Sequence, residues 1–159
     1  MKSTDERKAG AGLAAAHGSD LYAWEVSVKG TDWMNTVNAR TAGQAKRDYH
    51  LDVRDAWPDV PYTAMRCRKI GAPHTSERFA HNARYRGLPD VKCGQRVKVG
   101  GAFGVIVGHN SSANFDVLFD AHSEYRGMKL NCHPDSCEMV NGQNGADQRP
   151  GHTGGSDCK

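Results

Sequence analysis

The chain has 159 residues, of which 38% are hydrophobic and 25% charged, with 18 glycines and a formal net charge of +3. That is room for one ordinary domain or two very small ones, and the low apolar content leaves part of the chain outside any core. No run approaches the roughly 18 consecutive apolar residues of a membrane helix, and the N-terminal MKSTDERKAGAGLAAAHGSD has no apolar centre of a signal peptide, so a cytoplasmic protein without a membrane partner is expected.

Residues 1–19 carry no periodicity and read as a disordered tail. The first folded unit, 20–70, opens on LYAWEVSVKG. There Tyr22, Trp24, Val26 and Val28 alternate with Ala23, Glu25, Ser27 and Lys29, the period of a half-buried strand. KGTD is a turn signal, and WMNTVNA can return as an antiparallel partner. The helix that follows runs from Thr41 to Trp57. Thr41 and Gln44 have capping-box spacing, and Ala42, Ala45, Tyr49, Val53 and Ala56 make one apolar stripe. Pro58 disfavours helical geometry at Trp57. PYTAMRCRKIG then reads as a third strand, with Met65 and Cys67 on one face and Arg66 and Arg68 on the other.

Residues 71–92 form a connector rich in arginine and histidine, in which a helical turn or two can start at Ser76, pinned by Phe79 or Tyr85. From Cys93 to Val140 the pattern changes to short strands and glycine turns: QRVKV, FGVIVGH, FDVLFD, MKLNC and CEMV. Five such strands are expected to close into a small barrel, because closure removes unpaired edges. Residues 141–159 again read as a disordered tail. The expected fold is therefore α+β: a small antiparallel sheet with one helix (ββαβ), followed by an SH3-like five-stranded β-barrel.

The segment Gly94–Val107, GQRVKVGGAFGVIV, resembles the opening of KOW-type SH3-like barrels, in which a glycine precedes a Val-x-Val strand and a second glycine introduces Gly-Val-Ile-Val. The resemblance covers roughly residues 93–140. It implies binding of RNA, or of a protein of the transcription or translation machinery, through strand-joining loops around Gly100–Phe103 and His109–Asn114. A longer stretch, with the upstream YRG, GVIVGHNSSANFDVLFD and NCHP in that order, resembles uncharacterised bacteriophage and prophage proteins, and implies a host-cell cytoplasm as the setting.

Charge is unevenly spread. Between 63 and 98 nine basic residues face two acidic ones; between 99 and 140 two basic face five acidic. Phosphate contacts need Lys and Arg on one surface, and stacking with unpaired bases needs aromatics beside them. The candidate nucleic-acid residues are therefore Arg66, Arg68, Lys69, Arg78, Arg84, Tyr85, Arg86, Lys92, Arg96 and Lys98, with His74 and His81 as surface groups among them. The leading expectation is a non-catalytic accessory protein that binds RNA or DNA. The alternative is an adaptor or inhibitor that binds a host protein through the acidic barrel face or the loop residues Phe103, His109, Asn110 and Asn114.

An enzyme would have to recruit His109, Asp116, Asp120, His122 and Glu124, but alternation points Asp116 outward, and no P-loop, nucleophile elbow or HExxH is present. No enzyme activity, cofactor or metal is expected. The five cysteines (67, 93, 132, 137 and 158) make no disulfide framework. Cys93, Cys132, His133 and Cys137 would be the ligands of a zinc site if there were one.

Overall fold

A computed structural model describes residues 20–140. The two expected tails, with Cys158, lie outside the described residues.

The first three strands fall where alternation places them: β1 (Tyr22–Val28), β2 (Met34–Ala39) and β3 (Met65–Gly71) form an antiparallel sheet in the order β2-β1-β3. Helix α1 (Ala42–Arg54) covers one face and buries Ala45, Tyr49 and Val53 against Val26, Val28, Ala39 and Met65. Thr41 Oγ1 accepts from the Gln44 N–H at 3.2 Å, as its capping spacing requires. The return bond goes one residue further back: Gln44 Oε1 accepts from the N–H of Arg40 at 3.1 Å. Regular α-helix ends at Arg54, three residues short of expectation. A turn carries on from there, with the Trp57 N–H bonded to Val53 O at 2.9 Å, before Pro58.

One expectation about β1 needs correcting. Ala23 belongs to the face assigned to solvent, yet it is buried, while Tyr22 and Trp24 are only half-buried. The reason lies outside the strand: beside Ala23 on that face sits Asn38, and there the second sheet covers the first.

The second sheet comprises β4 (Arg96–Val99), β5 (Ala102–His109), β6 (Phe115–Phe119), β7 (Lys129–Cys132) and β8 (Glu138–Met139), antiparallel in the order β7-β6-β5-β4-β8. Its inner face buries Val97, Ile106, Phe115, Val117 and Phe119. Gly104 is required by the close approach of β6, its neighbour in the sheet: a Cβ there would lie 2.6 Å from Val117 Cγ1 and 3.0 Å from Leu118 O.

Helix α2 (Glu77–Tyr85) starts at Ser76, whose Oγ accepts from the Phe79 N–H at 3.1 Å. Its two buried residues, Phe79 and Ala83, enter the core of the five-stranded sheet, together with Val91 and, partly, Leu88. Much of the arginine-rich connector is therefore packed structure.

The outer face of the same sheet is not free. Val105, Val107 and Leu118 form a third apolar cluster with Leu21, just before β1. The packing order is α1, three-stranded sheet, five-stranded sheet, α2. No helix among the described residues is long and apolar enough to cross a membrane.

Candidate nucleic-acid interface

The ten basic and aromatic candidates are distributed over separate places. Arg66 and Arg68 lie on the face of the three-stranded sheet that α1 does not cover, opposite Ser27 and Glu25 of β1. Arg68 bonds Glu25 Oε1 at 3.0 Å in a pair with its guanidinium in water, a contact of little net strength. Lys69 points the other way, with its Nζ 3.1 Å from the centre of the Tyr22 ring. Lys92 is an exposed loop residue. Lys98 is half-buried, pairs in register with Phe103 and Glu138, and holds its ammonium 6.0 Å from the Phe103 ring.

Two of the arginines are engaged inside the protein. Arg96 makes a two-pronged contact with Asp120, Nη1–Oδ1 at 2.8 Å and Nη2–Oδ2 at 2.6 Å. Arg40, at the end of β2, adds Nη2–Oδ1 at 2.7 Å and an Nη1 bond to Phe119 O at 3.3 Å. This half-buried Arg–Asp–Arg group joins the two sheets. Hydrogen bonds from Arg96, and secondarily from Arg40, hold the Asp120 carboxyl below the usual carboxylate range, although burial opposes them. Because the folded-state value is depressed, the stabilisation is complete above the unfolded value of about 3.9 and is lost as pH falls through the folded one. Asp120→Asn should therefore cost about 2 kcal/mol near neutral pH. The gap to the parent chain should shrink in urea melts at about pH 3; a gap independent of pH would show that the carboxylate charge is not what joins the sheets.

Arg86 is the other engaged arginine. Its Nη2 donates to Ser112 O at 2.7 Å and Asn114 Oδ1 at 3.3 Å, bracing the β5–β6 loop. That loop explains three of the four loop residues singled out for partner binding. Asn110 Oδ1 accepts from the N–H groups of Ser112 and Asn114, and its Nδ2 donates to Asn131 Oδ1. His109 Nδ1 lies 3.1 Å from Asn82 Nδ2 and 3.0 Å from Asn110 O, accepting from the first or donating to the second according to its tautomer, and the ring leans on Phe79 at 5.6 Å. His109, Asn110 and Asn114 thus build the turn. Ala113 sits in left-handed geometry at φ 59°, which asparagine-rich turns often demand of one residue.

Phe103 differs. It is 45% exposed and lines an open cleft of about 440 Å³ together with Gly100, Gly101, Asp120, His122 and Glu124.

The remaining candidates, Arg78, Arg84 and Tyr85, share the solvent face of α2 with His81. Spacings of three and four place 78, 81 and 85 on one stripe, with 84 beside it. All four are exposed, Tyr85 to 78%, and among the described residues none takes part in an ion pair or a side-chain hydrogen bond.

Comparison with protein-family models, with curated proteins and with solved structures gives no match.

The cysteines are placed as packing residues. Burial pushes the Cys93 thiol up to about 12 and the Cys137 thiol to about 11. Cys137 Sγ donates to His133 O, and His133 Nδ1 accepts from the Asp135 N–H. No group of three His, Cys, Asp or Glu residues among those described is placed to hold a metal. Of the residues an enzyme would need, Asp116 faces outward and accepts from Asn131 Nδ2 at 2.9 Å, and Asp120 is held by two arginines.

Sequence reasoning missed Asn38 and Arg40. The only signal for Asn38 was a polar residue on the second face of a strand whose other face is apolar, and that reads as solvent-exposed unless the second sheet is known to cover it.

Proposed function

We propose that the protein is a non-catalytic, nucleic-acid-binding accessory factor whose contact surface is the solvent face of α2, with the exposed Arg66 and Arg68 of β3 as a second basic patch. One observation carries the reading: Arg78, His81, Arg84 and Tyr85 stand together in solvent outside any ion pair, with Glu77 the one acidic residue of the helix, while arginines that have structural work, Arg86 and Arg96, are bonded. Arg86 and Arg96 leave the set of phosphate ligands and become supports for it. The five-stranded sheet is the scaffold, and we assign it to the SH3-like barrels on strand order. Its first strand, β4, lies between β5 and the last strand, β8, and a 3₁₀ turn at Pro134–Ser136 precedes β8. A phage or prophage context is part of the same proposal and rests on the sequence resemblance alone.

The test is the salt dependence of binding to a labelled oligonucleotide. Arg78→Glu with Arg84→Glu should weaken binding roughly a hundredfold and lower the slope of log K against log salt by about 1.5 to 2. Arg66→Glu with Arg68→Glu should have the smaller effect, because Glu25 already offsets part of that charge. Binding that ignores both double variants would overturn the reading.

A second reading, a protein-binding adaptor, has one observation in its favour: exposed Phe103 beside the cleft edged by His122 and Glu124. It requires a partner whose capture survives the arginine reversals and is lost in Phe103→Ala.

A further inference from the structure

We propose that the ligand of the α2 surface is single-stranded, and that Tyr85 is the ring on which an unpaired base stacks; this rests on the nucleic-acid reading above. Tyr85 is the most exposed large apolar side chain among the described residues, at 78% against 60% for the next, Met34. It sits between Arg84 and Arg86, and the Arg86 guanidinium carbon lies 5.9 Å from its ring centre. An exposed ring on the same helix face as the exposed cations Arg78 and Arg84, with Arg86 as its support, matches an unstacked base and its neighbouring phosphates. In a duplex the faces of the bases are hidden in the stack, so the ring would have nothing to take.

The platform is also held still. Arg86 is anchored to Ser112 O and Asn114 Oδ1. Asn82 is tied to His109, and Phe79 stacks on Phe115 at 5.7 Å with 21° between the rings. The helix closes with the Leu88 N–H on Ala83 O at 2.9 Å. Contacts at Phe79, at Asn82 and at the C-cap Arg86 fix the backbone that carries Tyr85 before any ligand arrives, so little backbone ordering remains to oppose binding. Arg86 Nε is buried without a partner, the one such side-chain atom among the described residues, a cost of holding this guanidinium in place beneath the loop. Arg78 lies six residues from Arg84, about 9 Å along the helix axis, and extends the cationic track past the ring.

The experiment compares a labelled single strand of about 16 nucleotides with a duplex of the same sequence, using the parent chain, Tyr85→Ala and Tyr85→Phe. The single strand should bind at least about tenfold more tightly than the duplex. Tyr85→Ala should lose about 10- to 100-fold on the single strand and nothing on the duplex, with the salt slope unchanged because no charge is removed. Tyr85→Phe, which keeps the ring, should restore binding. Since Tyr85 is in solvent, both variants should melt like the parent. Single-strand binding indifferent to Tyr85→Ala, or a duplex bound as tightly, would overturn the stacking assignment and leave the nucleic-acid reading standing. Absence of binding to either probe would overturn both.

Discussion

Phe79→Ala is expected to cost about 3–5 kcal/mol in urea unfolding, the range for deleting a buried aromatic that its surroundings cannot collapse onto. The side chain is 1% exposed, stacks on Phe115 and meets the His109 ring. Helix α2 has one other buried residue, Ala83, and a helix this short is not stable alone in water. Among its contacts, Phe79 is the one large apolar anchor, and the polar ties at Asn82 and Arg86 are formed only while it holds the helix in place. Loss of Phe79 should also disturb function in a way the surface variants do not: Arg78, Arg84 and Tyr85 remain in the chain but lose their fixed arrangement, so oligonucleotide binding should weaken with the salt slope largely kept. Phe79→Leu, which fills most of the space, should cost about 1.5 kcal/mol or less. A cost below about 1 kcal/mol for Phe79→Ala would mean that α2 is not part of the second core.

How far the sequence foretells these features differs by kind of signal. Strands with one apolar face are legible because alternation is local: the Val26–Val28 and Phe115–Val117–Phe119 patterns place their own inner faces. The start of α1 is legible for the same reason, from Thr41 and Gln44. Ala23 is not, because its burial is caused by another sheet and leaves no mark on its neighbours. Arginine counts are legible and arginine roles are not. Arg96 finds Asp120 at a separation of 24 residues and Arg40 finds the same carboxylate at 80, so no window of sequence shows which guanidinium is engaged and which is left for a ligand. In HNSSAN the asparagines and serines suit a turn, and the turn uses them up; only the brace from Arg86 turns that local motif into support for a distant surface.

Asn38→Ala should be comparably damaging, at about 3–5 kcal/mol, although it deletes only a small polar group. The argument begins in β5. Between Ile106 and Gly108 the pairing with β6 skips a residue, so Val107 sits in a bulge, and bulge residues lose their ladder partner. Its carbonyl takes a bond from Asn38 Nδ2 at 3.0 Å, reaching across from β2. The same amide donates to His74 O at 2.8 Å and accepts from the His74 N–H at 2.8 Å. One side chain therefore satisfies three backbone groups on two other segments, and it is the only polar side chain in the buried class among the described residues. Alanine would leave all three without a partner, each at about 1–3 kcal/mol where water cannot enter fully. Asn38→Leu should not rescue the loss, since volume is not what is missing. Asn38→Asp should be worse near neutral pH than in acid, because only the protonated carboxyl can donate to a carbonyl. If the two sheets unfold as one unit, the urea midpoint of Asn38→Ala falls with its slope unchanged. A reduced slope would show that the three-stranded sheet has come away from the five-stranded one, making Asn38 the joint that couples them. A midpoint within about 1 kcal/mol of the parent would show that neither holds, and that the contact around Leu21, Val105, Val107 and Leu118, with the Arg40–Asp120–Arg96 group, unites the sheets.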